Sequence, residues 1–168
     1  SVHSAVSFSL GDNLENLTLL GTSDLSGVGN TLANSLTGNS GVNTLNGNSG
    51  NDVLMAYAGN DILIGGAGND QMSGGSGDDR YDVDASGDRV TERANQGTDT
   101  VFANVSYTIA DHVEHLSLLG TDSISGAGNG LANSIYGNSG ANTLNGNAGN
   151  DFWRAYAGND VLVGGAGV

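Results

Sequence analysis

Aspartate recurs at nine-residue intervals in this chain, each time at the end of a glycine-rich hexapeptide. The stretch "YAGNDILIGGAGNDQMSGGSGDD" contains three of these residues, and the full set is Asp52, Asp61, Asp70, Asp79, Asp151 and Asp160, with Asp88 after a looser turn. Carboxylates repel one another, and glycine is entropically costly to order. The folded state must therefore compensate both costs, and a bound cation is a chemistry that does so.

The overall composition favours a cation as the partner. The formal net charge is −14, with four Lys and Arg residues together, 29 Gly and neither Pro nor Cys. An acidic chain of this kind is not expected to bind nucleic acid or an anionic membrane surface. Without cysteine it has no disulfides and no thiol chemistry. The sequence also lacks an apolar run of the length that spans a membrane.

The chain repeats itself at two scales. Residues 6–67 align without a gap on residues 105–166, and about two-thirds of the aligned positions are identical. We interpret residues 1–99 as a first unit, with a nonapeptide block at about 29–91. Residues 100–168 form a second, truncated unit, with a block at about 128–168, and both units are expected to lie on one continuous solenoid.

Within each block a large apolar residue follows every hexapeptide at the same offset. This inward position is filled at Leu36, Leu45, Leu54, Leu63, Met72, Tyr81, Val90, Ile135, Leu144, Trp153 and Leu162. Each nonapeptide is thus a tight turn plus a short strand, and two nonapeptides make one 18-residue coil. Such coils stack by parallel pairing at about 4.8 Å. The sequence therefore predicts an all-β, parallel β-roll or β-solenoid.

The stretches between the blocks, such as "VSFSL" and "DRVTERANQGTDTVFA", alternate apolar and polar residues. We interpret them as longer rungs of the same solenoid with irregular turns. A separate small β-domain is the alternative.

Alternate turns of an 18-residue coil lie on the same edge, so Asp52 stacks near Asp70, and Asp61 near Asp79. Two carboxylates at one strand spacing are unfavourable unless a cation lies between them. Main-chain carbonyls in the glycine-rich turns supply further oxygens. Calcium, which takes six to eight oxygens at about 2.3–2.6 Å, suits this donor set better than magnesium, and zinc would require His or Cys.

The segments "GGAGNDQMS" and "GGSGDDRYD" resemble the hemolysin-type calcium-binding nonapeptide of the RTX (repeats-in-toxin) family. Spacers such as "VSYTIADHVEHLSLLGTDSISGAGN" are similar to those of large bacterial RTX arrays and of mannuronan epimerase R-modules. The resemblance implies a right-handed β-roll, several structural Ca²⁺ ions and type I secretion. The location it implies is extracellular or on the bacterial cell surface.

In that family each ion lies between two successive turns of the same edge. Carried over to this chain, the resemblance implies two sites, one formed by Asn48, Gly50 and Asp52 with Gly65, Ala67 and Asp70, the other by Tyr57, Gly59 and Asp61 with Gly74, Ser76 and Asp79. A third set consists of Gly66, Gly68 and Asp70 with Val83, Ala85 and Asp88. Asp151 and Asp160 are the corresponding ligands in the second unit, where fewer ions are expected.

Asparagine replaces the aspartate of the pattern at Asn34, Asn43, Asn133 and Asn142. Two interpretations remain open for the gaps that pair one Asn with one Asp. These gaps bind calcium weakly, or side-chain amide hydrogen bonds close them.

No Ser/His/Asp set has the context of a catalytic site, so we expect no enzymatic activity. One hypothesis is the repeat stalk of a secreted adhesin, surface-layer or matrix protein, stiffened by calcium. The other is an accessory module of a secreted enzyme such as a mannuronan C5-epimerase, lipase or protease. Anionic polysaccharide and neighbouring repeats of a parent chain are the candidate partners besides calcium.

Overall fold

A computed structural model describes residues 1–167 and shows a chain wound into a parallel β-solenoid. Glycine-rich turns separate short strands, the longest of which, Val53–Ala58 and Gln71–Ser76, lie in the first block. Because glycine is dense and the apolar residues recur every nine positions, no segment has the 3.6-residue periodicity of a helix. No helix forms within residues 1–167, and hence none there is long and apolar enough to cross a membrane.

The strands line two faces of the solenoid. One face is a sheet of nine strands paired in chain order: β2 (Phe8–Ser9), β4 (Leu25–Val28), β6 (Asn43–Asn46), β8 (Ile62–Ile64), β10 (Arg80–Val83), β12 (Thr100–Ala103), β14 (His115–Leu118), β16 (Ser134–Tyr136) and β18 (Phe152–Arg154). The other face begins with a sheet of six: β1 (Val2–Ser4), β3 (Asn16–Leu19), β5 (Ser35–Thr37), β7 (Val53–Ala58), β9 (Gln71–Ser76) and β11 (Arg89–Val90). It continues with a sheet of four: β13 (Tyr107–Thr108), β15 (Ser125–Ala127), β17 (Thr143–Asn145) and β19 (Val161–Val163).

The pairing of successive coils gives the length of each coil. Within the nonapeptide blocks, equivalent positions of adjacent coils are 18 residues apart, as for Asp52 and Asp70. Between the blocks the step lengthens to 20 residues from Asp79 to Asp99, then shortens to 15 residues from Asp99 to Glu114. The flanking stretches are therefore rungs of the same solenoid, as predicted, although the steps from β1 to β3 and from β12 to β14 are 15 residues, shorter than the repeat. The alternative prediction, a separate small β-domain between the blocks, is wrong, because the strands of these stretches pair with those of the blocks.

The predicted inward residues form the core. Nine of the eleven are buried: Leu36, Leu45, Leu54, Leu63, Met72, Tyr81, Val90, Ile135 and Leu144. Trp153 is only partly buried against this core, and Leu162 is 52% exposed. These two lie on β18 and β19, the last strands of their sheets, where no following coil within residues 1–167 covers them.

The division of the second face leaves an opening. Strands β11 and β13 are not paired with each other, and a cleft of about 530 Å³ between them is lined in part by Arg89, Val90 and Tyr107. The Tyr107 hydroxyl lies 3.4 Å from the Asp88 carbonyl oxygen across this break. The nine-stranded face alone thus links the two blocks by continuous pairing.

The core generates a first prediction. Leu54 is fully buried on β7, whereas Met55, the next residue, is 37% exposed. Truncating a buried leucine to alanine removes its transfer free energy and leaves a cavity, so Leu54→Ala should lower the free energy of unfolding by about 2–5 kcal/mol. Met55→Ala is the matched control and should cost less. Urea unfolding at saturating calcium measures both, and equal losses would contradict the inward assignment.

Candidate metal sites

The sixth residue of each turn enters the solenoid wall immediately before a strand. The Asp side chains at this position in the first block are buried, at 4% exposure or less: Asp52, Asp61, Asp70, Asp79 and Asp88. Buried carboxylates are rare unless they are paired or bind a metal. Within residues 1–167 the only ion pair joins Arg80 to Asp82, so no basic side chain neutralises these carboxylates.

One oxygen of each carboxylate joins its turn to the coil before it. The Oδ1 atom accepts a hydrogen bond from the main-chain N–H of the sixth residue one coil earlier. The Asp52 N–H donates to Asp70 at 2.7 Å, and the Asp61 N–H donates to Asp79 at 2.8 Å. The structure therefore brings together the two Asp pairs that the 18-residue coil predicts, one pair on each edge.

The second oxygen of the same carboxylates is left over. The Oδ2 atoms of Asp52, Asp61, Asp70, Asp79 and Asp151 are buried and have no hydrogen-bond partner among residues 1–167. A buried polar atom without a partner costs about 1–3 kcal/mol, and more when it is charged. These unpartnered oxygens recur along both edges of the solenoid, so the cost is repeated from turn to turn. Carboxylate oxygens of this kind are ligands that a hard cation such as calcium could bind.

Main-chain carbonyls face the same gaps. A Cβ atom at Gly47 would overlap Asp52 Oδ2 and would lie 2.6 Å from the Gly65 carbonyl oxygen. Added Cβ atoms at Gly66 and Gly68 would overlap the carbonyl oxygens of Asn48 and Gly50, and the carbonyls of Tyr57 and Gly59 face Gly75 and Gly77 in the same way. Glycine is therefore required where the turns approach one another. Of the carbonyl oxygens that the resemblance implies, that of Gly65 lies with Asp52 Oδ2 around Gly47, and those of Asn48, Gly50, Tyr57 and Gly59 face the turn of the next coil.

The remaining predicted carbonyl ligands lie between the turns as well. Ala67 O accepts a hydrogen bond from the Gly50 N–H, and Ser76 O accepts one from the Gly59 N–H, both at 2.9 Å. A carbonyl oxygen has two lone pairs, so one hydrogen bond leaves room for a metal. The second turn residue adopts the left-handed region even where it is not glycine, with φ of 70° at Asn48 and 80° at Tyr57.

The turns that end in asparagine have another geometry. Asn34 Oδ1 accepts a hydrogen bond from the N–H of Asn30 in its own turn at 2.7 Å, and Asn34 Nδ2 donates to the Leu14 carbonyl at 3.1 Å. Asn30 Nδ2 donates to the carbonyls of Gly11 and Leu14 at 2.8 and 2.7 Å. The turns ending at Asn43, Asn133 and Asn142 repeat this arrangement of amides. These amides join each Asn-ended turn to the coil before it. Across the gaps that pair Asn with Asp, Asn48 Nδ2 donates to the Gly29 carbonyl at 2.8 Å and Asn147 Nδ2 donates to the Gly128 carbonyl at 2.7 Å, so amide hydrogen bonds close the gaps of Asp52 and Asp151, whereas Tyr57 and Tyr156 occupy that position in the other two.

The third predicted set is only partly available for a metal. Asp70 N–H donates to Asp88 Oδ1 at 3.0 Å, so these two carboxylates meet as predicted. Asp88 Oδ2, however, accepts hydrogen bonds from the N–H groups of Asp84 and Ala85 in its own turn, and Val83 is a buried residue of β10. In the second unit, Asp151 and Asp160 accept hydrogen bonds from Asn133 and Asn142 and are less buried.

The structure adds two residues that the sequence analysis missed. Asp99 continues the carboxylate row beyond Asp79 at a distance of 20 residues, and its Oδ1 accepts the Asp79 N–H at 2.9 Å. Glu92 is buried beside them. The usable signal was the position of Asp99, directly before β12, as Asp52 stands directly before β7. A search at a fixed spacing of 18 residues passes over Asp99, which lies 20 residues after Asp79.

Burial weakens the acidity of these carboxyl groups when no ion is bound. It raises the pKa of Asp61 and Asp70 from 3.8 to about 6, and the pKa of Asp79 and Asp99 to about 7. Neighbouring carboxylates raise the pKa of Asp70, Asp79 and Asp99 further. A metal that binds here must therefore displace protons near neutral pH.

The turns also match a known family. The model of the RTX calcium-binding nonapeptide repeat, which spans four copies, matches residues 28–63, 47–81, 56–90, 127–153 and 136–168. These matches cover more than half of the chain and include every Asp that the sequence analysis assigned as a ligand. No curated protein and no solved structure is significantly similar to the chain.

The glycine contacts predict a loss of metal binding without loss of a ligand side chain. Gly47→Ala should force Asp52 Oδ2 away from the Gly65 carbonyl and weaken calcium binding in that gap by about tenfold or more. Gly130→Ala is the matched control, because nothing lies within 4 Å of an added Cβ there. Isothermal titration with calcium compares the two variants. Equal affinities would show that the gap does not hold the ion.

The pKa shifts predict how pH affects the ion-free protein. Carboxyl groups with raised pKa hold more protons folded than unfolded between about pH 4 and 7, so the free energy of unfolding falls as pH rises through 6 to 7. In calcium-free buffer the β-structure seen by circular dichroism should be greater at pH 5 than at pH 8. At saturating calcium the order should reverse, because protons compete with the ion. Equal β-structure at both pH values without calcium would contradict the burial of these groups.

Proposed function

The chain belongs to the family of RTX calcium-binding nonapeptide repeats, and from this premise we propose that it folds around several structural calcium ions as a segment of a large secreted bacterial protein. The observation that carries the proposal is the row of buried Asp Oδ2 atoms without partners within residues 1–167. A divalent cation between successive turns gives these atoms the partner that the protein alone does not supply.

Two gaps have the most complete donor sets for calcium. One lies between the turns of Asp52 and Asp70, with carbonyls of Asn48, Gly50, Gly65 and Ala67. The other lies between the turns of Asp61 and Asp79, with carbonyls of Tyr57, Gly59, Gly74 and Ser76. Each offers two carboxylates and four carbonyls, a coordination number that calcium accepts.

Other gaps should bind calcium more weakly. The gap between Asp70 and Asp88, with Gly66 and Gly68, has one carboxylate oxygen already hydrogen-bonded within its own turn. Asp151 and Asp160 each face an Asn-ended turn whose side-chain oxygen already accepts a hydrogen bond. A protein oxygen must lose a hydrogen bond before it can bind the ion in these places.

The role we propose for calcium is structural. The candidate Asp ligands of the first block are buried between coils, so a bound ion links one coil to the next and its binding free energy becomes folding free energy. Without calcium at neutral pH, the carboxylate rows repel one another and the chain should be largely disordered. This coupling suits a protein that is exported unfolded and folds on meeting calcium outside the cell.

The arrangement of the units favours a stalk of the adhesin, surface-layer or matrix type. The nine-stranded sheet continues through both repeats as far as Arg154, and a solenoid lengthens by adding coils without changing its cross-section. Calcium between the coils would stiffen such a rod. Calcium-dependent binding of an anionic polysaccharide would instead favour the accessory module of a secreted enzyme.

The proposal is tested by titrating calcium into the ion-free protein while circular dichroism and Trp153 fluorescence are recorded. Both signals should change cooperatively as ions bind. Asp70→Asn removes a charge shared by two gaps and should raise the midpoint by about tenfold or more. Asparagine occupies this turn position elsewhere in the chain, so the variant keeps a residue type compatible with the fold.

Asp12→Asn, which removes an exposed carboxylate outside the candidate sites, is the control and should leave the midpoint unchanged. Complete β-structure at neutral pH in excess chelator, with no ion bound on titration, would overturn the proposal. An Asp70→Asn midpoint equal to that of Asp12→Asn would overturn the assignment of Asp70.

A further inference from the structure

Three carboxylates meet at the junction between the first block and the irregular coil that follows it. One carboxylate oxygen from each of Asp79, Glu92 and Asp99 lies within 4.8 Å of the other two. The three residues are buried, with exposures of 2%, 7% and 1%. This group lies in the gap after the Asp61–Asp79 pair, where the sequence analysis placed no ion.

The backbone delivers these residues from two successive turns on one edge. Asp79 ends the last regular turn of that edge, and its N–H donates to Asp99 Oδ1 at 2.9 Å. Glu92 begins the next turn, 18 residues after Gly74, and its Oε1 accepts the Gly74 N–H at 3.2 Å and a short hydrogen bond from the Tyr81 hydroxyl. One oxygen of Glu92 and one of Asp99 are therefore fixed by hydrogen bonds.

The other oxygen of each residue has no such partner. Asp79 Oδ2, Glu92 Oε2 and Asp99 Oδ2 are all buried without a hydrogen bond among residues 1–167. No Arg forms an ion pair with any of them in that range. Three buried, unpartnered acceptors on carboxylates this close together are strongly unfavourable unless a positive ion joins them.

From this arrangement we propose that Asp79, Glu92 and Asp99 form a further divalent-cation site with three carboxylate ligands. The inference rests on the proposed function for the choice of calcium as the ion. Two oxygens on opposite sides of a calcium ion are about 4.6–5.2 Å apart, so the group fits around one ion. The sites of the regular turns have two carboxylates each, and the added negative charge of Glu92 should make this site bind calcium more tightly.

The ion would join the irregular coil to the regular block. The turn from Glu92 to Asp99 belongs to the longer step between β10 and β12, which breaks the repeat of the first block. An ion held by Asp79 on one side and by Glu92 and Asp99 on the other fixes this turn against the last regular one.

Counting bound calcium by native mass spectrometry and equilibrium dialysis tests the site. Glu92→Gln and Asp99→Asn should each bind one tight ion fewer than the unmodified protein, with affinity at the junction reduced by about tenfold to a hundredfold. The controls Glu15→Gln and Asp12→Asn make the same chemical changes at exposed positions and should bind the full number. Unchanged stoichiometry and affinity in both junction variants would overturn the site.

Terbium luminescence supplies a test that does not require removing a ligand. Tyr81 is fully buried and its hydroxyl contacts Glu92, so a terbium ion at the junction should be sensitised by excitation of this tyrosine. Tyr81→Phe keeps all three carboxylates and should lose that part of the emission, whereas Tyr136→Phe, a half-buried control, should keep it. Equal emission from the two variants would argue against the site even if Glu92→Gln did not fold.

These results separate the two proposals. If the protein binds no calcium in any form, the proposed function fails and the junction site fails with it. If calcium binds and drives folding but the junction variants behave like their controls, only the junction site fails.

Discussion

The stability of the solenoid depends on the Asp carboxylates of its turns, whose two oxygen atoms have different surroundings. In the turns of Asp52, Asp61, Asp70 and Asp79, Oδ1 accepts a main-chain N–H from the coil before it, whereas Oδ2 is buried without a hydrogen bond among residues 1–167. A hydrogen bond to a charged group contributes about 1.5–3 kcal/mol, but a buried charged oxygen without a partner costs at least as much. The net contribution of the row therefore depends on what fills the gap. With a cation in the gap, the carboxylates would stabilise the fold, whereas without one they destabilise it.

Asparagine resolves the same geometric problem in another way. An Asn side chain carries its own donors, so Asn34 and Asn30 satisfy carbonyls of the preceding coil without an ion. Asn30, unlike Asn48 and Tyr57 at the same position of Asp-ended turns, stays out of the left-handed region. Each nonapeptide block thus begins with turns whose Asn amides are hydrogen-bonded and continues with Asp-ended turns, most of which leave a buried carboxylate oxygen without a partner among residues 1–167. The Asn-ended and Asp-ended turns differ at their sixth residue by one side-chain atom, the amide nitrogen that replaces a carboxylate oxygen.

Periodicity made most of this architecture predictable. A constant nine-residue spacing fixes which side chains face inward, and doubling it fixes which Asp residues share an edge, so Leu54 and the pair of Asp61 and Asp79 follow from the sequence. Where the spacing changes, prediction fails. The longer step before Val101 and the shorter step after it could not be counted from a regular pattern. Trp153 is only partly buried because β18 is the last strand of its sheet. The inward pattern gives the direction of a side chain but not whether a further strand covers it.

Glu92 shows why the junction requires a different solution from the regular turns. In the turns of Asp52, Asp70 and Asp79 the first residue is glycine, and a Cβ at Gly47 or Gly74 would overlap the Asp side chain of the same turn, whereas the turn of Asp61 begins with the small residue Ala56. The first residue then contributes only its carbonyl to the gap. In the turn from Glu92 to Asp99, two extra residues separate the first position from the aspartate, which leaves room for a side chain. A glutamate carboxylate can then reach the gap, so the break in the repeat replaces a neutral carbonyl oxygen with a charged one beside Asp79.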